Sequence, residues 1–276
     1  MIKNKPIGVF DSGYGGLTIL SELQRRMPQY DFLYLGDNAR APYGSRSFDV
    51  VYQFTLEAVE FLFSQGCEII VLACNTASAK ALRSIQQKDL PVHFPGKKVL
   101  GVIRPSTEII GELTKTNHVG ILATEGTVKS ESYVIETHKF SPETVVVQHA
   151  CPIWVPLIEN NKHDTETGRS IIREDIEILL GKDPDIDVII LACTHYPILK
   201  DYIQSIVPAH VRIIAQGPII AEKLEDYLVR HPEIEKQCSK AGKVEFLTTE
   251  SPIDFDQNAA RLLGMQIQSR QVKLKC

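Results

Sequence analysis

Apolar runs alternate along most of the chain with segments that carry an apolar residue every three to four positions. Runs rich in Ile, Val and Leu are typical of buried strands, whereas the longer spacing is typical of helices with one buried face. Strands are predicted at 6–11, 31–36, 68–73, 97–103, 118–123, 144–149, 187–193, 211–215 and 243–248. Helices are predicted at 15–27, 47–65, 77–87, 167–180 and 218–230. This alternation predicts an α/β protein with mostly parallel sheets that are covered by helices on both faces.

Two segments of the first half return in the second half. Residues 69–76 (IIVLACNT) resemble residues 188–195 (VIILACTH), 119 positions later, and residues 8–13 resemble residues 120–126, displaced by 112 positions. The similar displacements predict two pseudo-symmetric, doubly wound domains with the active site in the cleft between them. We expect 1–100 plus 213–276 to form one domain and 101–212 the other. The tail after Gly264 shows little periodicity and is expected to pack loosely.

Each of the longer repeated segments contains one cysteine, Cys74 in the first half and Cys193 in the second. Both follow a predicted strand, and open α/β sheets place their sites at the carboxyl ends of strands. A buried, inert thiol is the alternative, because cysteine is a common core residue. Asn, Thr and His are poor core residues, however, and they follow these cysteines directly. The repetition therefore favours two functional thiols facing one cleft, with His195 close enough to hold a proton beside Cys193.

A glycine-rich segment, residues 11–18 (DSGYGGLT), follows the first strand and opens a helix. The N–H groups at a helix amino terminus suit an anion, although the segment lacks the sequence of a P-loop and of a dinucleotide-binding loop. A tight turn capped by Asp11 or Ser12 is the alternative interpretation. A carboxylate beside an anion site is unfavourable unless it handles protons or orients a cation, so Asp11 favours a functional role.

Two other segments have open interpretations. Residues 36–45 (GDNARAPYGS) could clamp a substrate with Tyr hydroxyl and Gly N–H donors, or Asp37 and Arg40 could simply pair at the surface. Glu159 ends an apolar segment, and taken alone it is typical of a solvated helix cap.

Composition narrows the classes of partner. The 276 residues carry a net charge of −4, and Lys and Arg are dispersed, so a small-molecule partner is expected rather than nucleic acid. Neither a signal peptide nor a membrane-spanning stretch is apparent, and a cytoplasmic protein without membrane association is expected. The six cysteines have no spacing typical of zinc ligands or of a disulfide framework. No lysine lies in a recognisable cofactor motif, so a Schiff-base cofactor is not expected.

Two thiols on opposite sides of a cleft suit one class of reaction. One thiolate removes a proton from one face of a carbon while the other thiol returns a proton to the opposite face, which is racemisation or epimerisation by two bases.

The motifs closely resemble those of the aspartate/glutamate racemase superfamily, in the same order and across nearly the whole chain. The resemblance is carried by residues 11–18, by 37–44 (DNARAPYG), by 73–78 (ACNTAS) and by 191–197 (LACTHYP). It implies a cofactor-independent interconversion of L- and D-glutamate that supplies D-glutamate for peptidoglycan. It implies no metal.

The resemblance also implies roles for single residues. Cys74 and Cys193 become the two proton donors and acceptors, with Cys74 acting on the D-enantiomer and Cys193 on the L-enantiomer. Asp11, Glu159 and His195 are implied to assist proton handling beside the thiols. The substrate contacts that it implies are Asp11, Ser12, Tyr43, Gly44, Asn75, Thr76, Thr194 and His195.

The chain departs from the family pattern at two places. Family members often read GVIEPG where residues 101–106 here read GVIRPS, and residues 215–217 (AQG) lack the usual acidic and hydroxyl residues. A racemase of another acidic amino acid, such as aspartate, is the nearest alternative, because pocket depth cannot be read from sequence. A catalytically silent amino-acid-binding or regulatory protein is a further alternative, against which both retained cysteines argue. The oligomeric state stays open, with a homodimer among the alternatives.

Overall fold

Two parallel β-sheets form the framework of the computed structural model, which describes residues 5–274. The larger sheet has six strands in the order β10-β9-β2-β1-β3-β4, and the smaller has four in the order β6-β5-β7-β8. The strands are β1 (Ile7–Asp11), β2 (Phe32–Gly36), β3 (Ile69–Leu72), β4 (Lys98–Gly101), β5 (His118–Ala123), β6 (Val145–Ala150), β7 (Val188–Ala192), β8 (Arg212–Ala215), β9 (Val244–Thr248) and β10 (Ser269–Gln271). The predicted α/β class with parallel sheets is confirmed.

Helices connect and cover these strands. They are α1 (Gly16–Arg26), α2 (Phe48–Ser64), α3 (Asn75–Lys80), α4 (Leu82–Ser84), α5 (Leu90–His93), α6 (Ile103–Thr107), α7 (Ile110–Leu113), α8 (Glu125–Lys129), α9 (Ser132–Phe140), α10 (Trp154–Glu159), α11 (Glu166–Lys182), α12 (Lys200–Ile206), α13 (Gly217–Arg230), α14 (Pro232–Glu235) and α15 (Pro252–Leu263). Within residues 5–274, no helix combines the length and the apolar character that crossing a membrane requires.

The two halves share one strand order. The run β2-β1-β3-β4 of the larger sheet corresponds to β6-β5-β7-β8, the whole of the smaller sheet. In the larger sheet β1 lies between β2 and β3, and in the smaller sheet β5 lies between β6 and β7. All four pairings are parallel. The carboxyl ends of β3 and β7 are therefore equivalent positions, and each is followed by one of the repeated cysteines.

The central strands β1, β2, β3 and β7 are buried on both faces, as the continuous apolar runs predicted. Alternate residues of β3 enter different clusters: Ile69 and Val71 pack in the cluster that includes α1, whereas Ile70 and Leu72 pack in the cluster that includes α2. The smaller sheet is also divided between two clusters. Burial of this kind holds the strand ends rigidly, and the site is built on those ends.

The nine predicted strands are present within two residues of their expected bounds, but a tenth strand was missed. β10 has the sequence Ser-Arg-Gln and pairs with β9 at the edge of the larger sheet, so the loosely packed tail expected after Gly264 is wrong for this segment. Its polar sequence has no strand periodicity. β8 pairs with β7, so residues 213–215, expected in the first domain, hydrogen-bond in the second sheet. The division into two domains otherwise stays a prediction.

The predicted helix at 77–87 is only partly correct. Helix α3 begins two residues earlier, at Asn75, because the Cys74 side chain accepts a hydrogen bond from the N–H of Ala77 and caps it. The helix is interrupted at Ala81, where φ is −113°, and the chain continues as a short α-helical turn and a π-helical turn at Ile85–Asp89.

Candidate active site

Cys74 and Cys193 line one small cavity, with a volume of about 90 Å³, between the carboxyl ends of the two sheets. Each thiol is nearly buried, Cys74 being 5% exposed and Cys193 7% exposed. Ten of the eleven predicted site residues line this cavity: Ser12, Tyr43, Gly44, Cys74, Asn75, Thr76, Glu159, Cys193, Thr194 and His195. The repeat along the chain thus becomes a pair of thiols in one space.

The eleventh predicted residue, Asp11, lies behind the glycine-rich turn at the end of β1. It is fully buried, and Oδ2 accepts a hydrogen bond of 2.9 Å from the N–H of Gly13, while Thr194 Oγ1 lies 3.4 Å from Oδ1. Burial raises the pKa of Asp11 above its ordinary value, and the charge of His195 and these hydrogen bonds partly offset that rise. Thr194 comes from the second half, so Asp11 contacts both halves of the site.

The Cys74 thiol lies between a hydroxyl group and a helix amino terminus. Ser12 Oγ and the N–H of Ala77 are each 3.4 Å from Sγ. Burial, and then the Asp11 charge, raise the pKa of Cys74 to about 12, although the two hydrogen bonds act in the opposite direction. Without substrate, Cys74 is therefore a protonated thiol at neutral pH.

Cys193 has a cationic neighbour instead. His195 Nε2 lies 3.0 Å from Glu159 Oε1, which fixes the ring beside the thiol. Burial alone would lower the pKa of His195, but hydrogen bonds to Cys193 and Glu159 raise it to about 10. Both contacts therefore favour the protonated form of His195. Glu159, which in sequence resembled a solvated cap, lies at the end of α10 and is tied to the site; its backbone carbonyl also accepts a 2.6 Å hydrogen bond from Arg261.

The loop after β2 closes one side of the cavity through Tyr43 and Gly44. Asp37 is fully buried and accepts hydrogen bonds from Tyr43 Oη, from Arg40 Nε at 2.7 Å and from Thr249 Oγ1 at 2.8 Å. The predicted pair between Asp37 and Arg40 therefore forms, but Asp37 is buried instead of lying at the surface. This carboxylate braces the loop that presents Tyr43 and Gly44 to the cavity.

Ten other residues line the cavity that were not among the predicted site residues: Gly13, Ala41, Pro42, Ser45, Thr124, Glu125, Cys151, Pro152, Val155 and Pro156. The internal repeat could have identified Thr124, because the displacement of 112 positions makes it the equivalent of Ser12. Its Oγ1 lies 2.9 Å from Thr76 Oγ1, so a hydroxyl pair links the two halves. Cys151 follows β6 directly, and the rule for strand ends would have found it.

Within residues 5–274, two groups of side chains lie close enough to one another to hold a metal ion. They are His149, Cys151 and Asp175, and His118, Asp183 and Asp185. Asp175 is already engaged, since Oδ1 pairs with His149 Nε2 at 2.7 Å and Oδ2 accepts from Trp154 Nε1 at 2.6 Å. Neither group includes Cys74 or Cys193.

A protein-family comparison matches residues 17–224 to the model described as Asp/Glu/Hydantoin racemase. The chain belongs to that family. The resemblance inferred from the motifs is confirmed, and this chain is a racemase. A protein called glutamate racemase from Streptococcus agalactiae is 38% identical over 275 residues, covering 98% of this chain and 99% of that one.

Solved structures of family members have the same fold. A glutamate racemase isoform from Bacillus anthracis superposes with a TM-score of 0.89 at 36% identity, covering 99% of this chain and 98% of that one. Glutamate racemase from Francisella tularensis in complex with D-glutamate has a TM-score of 0.83 at 32% identity, with the same coverage. The pseudo-symmetric arrangement is therefore one that other racemases of this family share.

Proposed function

We propose that this racemase interconverts L- and D-glutamate by proton transfer at Cα between two thiols, without a cofactor. The observation that carries the proposal is the presence of Cys74 and Cys193 in one cavity, each after an equivalent strand. The similarity to relatives named glutamate racemase, one of them in complex with D-glutamate, supports glutamate as the substrate.

In the L-to-D direction, Cys193 acts as a thiolate and takes the Cα proton. The Cα–H bond breaks, and its electron pair moves towards the α-carboxylate while an S–H bond forms on Cys193. Cys74 then gives its thiol proton to the opposite face of Cα, so that the S–H bond breaks and a new C–H bond forms. The product is D-glutamate, with Cys74 left as the thiolate that starts the reverse reaction.

The charges around each thiol support this division of work. His195, held by Glu159, is a cation beside Cys193 and offers a counter-charge to a thiolate there. Burial and Asp11 keep Cys74 protonated in the absence of substrate, which is the state of an acid. We assign Asp11, Glu159 and His195 to proton handling on these grounds.

The polar groups between the thiols are proposed to hold the substrate. They are Ser12, Tyr43, Gly44, Asn75, Thr76, Thr194 and His195. Asp11, the remaining substrate contact that the resemblance implies, does not line the cavity and is proposed to act from behind the glycine-rich turn. Fixed N–H and hydroxyl donors stabilise the negative charge that develops on the α-carboxylate, which matters because an α-proton is poorly acidic. Thr124 is added, because its hydroxyl lies against that of Thr76 at the cavity wall.

The same proposal covers the biological role. D-glutamate made by this reaction would supply peptidoglycan synthesis, and therefore cell-wall biogenesis and cell shape. The enzyme would work in the cytoplasm, where thiols are kept reduced; the five described cysteines are unpaired, as that setting requires. A homodimer stays a proposal on sequence grounds alone.

The first experiment follows the circular dichroism signal of L-glutamate and, separately, of D-glutamate in D2O. The enzyme is first treated with a metal chelator, and no cofactor is added. Loss of signal from both enantiomers is expected. Early in the reaction, deuterium should enter the product while the remaining substrate stays protiated, because different thiols serve the two faces. Equal deuterium entry into recovered substrate would contradict the two-thiol mechanism, and turnover of aspartate instead of glutamate would contradict the substrate.

A further inference from the structure

A buried polar network surrounds the carboxamide of Asn75. Asn75 is 3% exposed, Gln216 is 2% exposed, and Tyr133 and Ser106 are fully buried. Asn75 belongs to α3 of the first half and Tyr133 to α9 of the second, while Gln216 precedes α13. Buried polar groups are costly unless they are paired, so this network has a fixed arrangement.

The direction of every hydrogen bond in the network follows from one backbone carbonyl. Gln216 Nε2 lies 3.2 Å from the carbonyl oxygen of Val102, which can only accept. The amino end of the Gln216 carboxamide must therefore face Val102, and its oxygen faces Asn75. Asn75 Nδ2 donates to Gln216 Oε1 at 2.9 Å, which turns the carboxamide oxygen of Asn75 away from Gln216.

Tyr133 completes the constraint on Asn75. Its hydroxyl lies 2.7 Å from Gln216 Nε2, which is a donor, so the hydroxyl oxygen accepts there. The hydroxyl hydrogen is then free for Asn75 Oδ1, which is 2.7 Å away. Ser106 Oγ, also 2.7 Å from Gln216 Nε2, is a third acceptor, so the two Nε2 hydrogens are shared among the oxygens of Val102, Tyr133 and Ser106. Flipping the Asn75 carboxamide would set an oxygen against Gln216 Oε1 and an amino group against a donated hydrogen.

We propose that Gln216 and Tyr133 are positioning residues that lock the carboxamide of Asn75, so that its remaining Nδ2 hydrogen serves as a donor to a substrate carboxylate. Asn75 lines the cavity, and one Nδ2 hydrogen is used by Gln216. The other is the donor that stays available. A flipped carboxamide would present its oxygen and repel the anion. The inference rests on the proposed glutamate reaction.

The test is a double-mutant cycle with Tyr133→Phe and Asn75→Ala, assayed for glutamate racemisation. Tyr133→Phe removes the hydroxyl that binds Asn75 Oδ1 and should lower kcat/KM about tenfold or more, chiefly by raising KM. In the Asn75→Ala background, the same substitution should change kcat/KM by less than about twofold, because the group it positions is gone. A multiplicative loss in the double variant would overturn the inference.

Two further variants serve as a control and as a replacement for Tyr133→Phe. Tyr52→Phe loses an equivalent hydroxyl, one that binds Asp89 at 2.8 Å away from the cavity, and should keep wild-type kinetics. If Tyr133→Phe does not fold, as judged by circular dichroism and Tm, Gln216→Met takes its place in the same cycle with the same expected and contradicting results. Wild-type enzyme inactive on glutamate overturns the proposed function and this inference together, whereas active wild type with multiplicative losses overturns only the inference.

Discussion

The two thiols end equivalent strands, yet their surroundings carry opposite charge. Cys74 has the Ser12 hydroxyl at 3.4 Å and the Asp11 carboxylate nearby, and its pKa is raised to about 12. Cys193 has His195, whose pKa is raised to about 10 by contact with Cys193 and Glu159 against the effect of burial. The shared strand order supplies the symmetry of position, and the loops after the strands supply the difference in charge.

This difference teaches that the free enzyme is not symmetric towards its two substrates. A protonated Cys74 and a cation beside Cys193 suit the removal of a proton by Cys193, which the proposed mechanism assigns to L-glutamate. Because L- and D-glutamate have equal free energies, kcat/KM must be equal in the two directions in every variant. The asymmetry must therefore be sought in isotope effects, or in kcat and KM taken separately, rather than in kcat/KM.

The largest expected effect comes from removing either thiol. Cys74→Ala and Cys193→Ala should each lower racemisation by about 1,000-fold or more, since each deletes one of the two groups that exchange a proton with Cα. Circular dichroism of glutamate gives the rate. Cys238→Ala, in the apolar core of the first half, is the matched control and should keep activity. Full turnover by either Cys74→Ala or Cys193→Ala would contradict the two-base mechanism.

Asp11→Asn tests the Cys74 side. The substitution keeps the shape of a fully buried side chain but removes its charge, and kcat/KM should fall by roughly 100-fold. The isotope effect of Cα-deuterated D-glutamate should rise, because proton removal by Cys74 becomes more rate-limiting, while that of L-glutamate should change less. Equal rises for both enantiomers would show that Asp11 serves both faces.

His195→Asn tests the Cys193 side in the same way. Loss of the cation held by Glu159 should lower kcat/KM by roughly 30-fold, and here the isotope effect of Cα-deuterated L-glutamate should rise more. The pattern is the mirror of that expected for Asp11→Asn. An isotope effect that rises for D-glutamate alone would reverse the assignment of the thiols.

The pH dependence of protein stability tests whether His195 is the cation on the Cys193 side of the site. The folded protein raises the pKa of this group from 6.5 to about 10, so the folded state holds its proton more tightly than the unfolded chain does. The resulting stabilisation is complete below pH 6.5 and is lost as the pH rises towards about 10. Between pH 6.5 and about 10, the free energy of unfolding should fall more steeply with pH in wild type than in His195→Asn. Parallel denaturation curves across this range would contradict it.

The smallest expected effect concerns the hydroxyl pair between the halves. Thr124→Val removes the partner of Thr76 Oγ1, and KM should rise by about threefold with little change in kcat. Thr144→Val, away from the cavity, is the matched control. A fall in kcat with an unchanged KM would mean that Thr124 acts on the reaction itself rather than on binding.

The sequence predicted most of the framework because its central strands are buried on both faces. Runs such as Ile69–Leu72 must enter a core, and the residues after them must then lie at a sheet edge. Cys74 and Cys193 could be paired from the repeat alone. β10 could not be found in this way, because three polar residues at a sheet edge leave no periodic pattern.

The sequence could not predict contacts between segments that are far apart along the chain. Asn75 and Gln216 are 141 positions apart, and only the folded chain brings them within 2.9 Å. Ser106 and Gln216, which lie in the two segments that depart from the family pattern, hydrogen-bond to each other. Glu159 likewise looked like a solvated cap until its contact with His195 was seen.

The shared order of β2-β1-β3-β4 and β6-β5-β7-β8 also bears on how such a chain could arise. Duplication and fusion of one four-stranded unit would produce it, starting from a pair of identical subunits whose strand ends met at an axis. In such an ancestor, any change beside one cysteine would appear beside both. Once fused, the two copies can drift separately, which is how an aspartate can end β1 while an alanine, Ala123, ends β5 at the equivalent position.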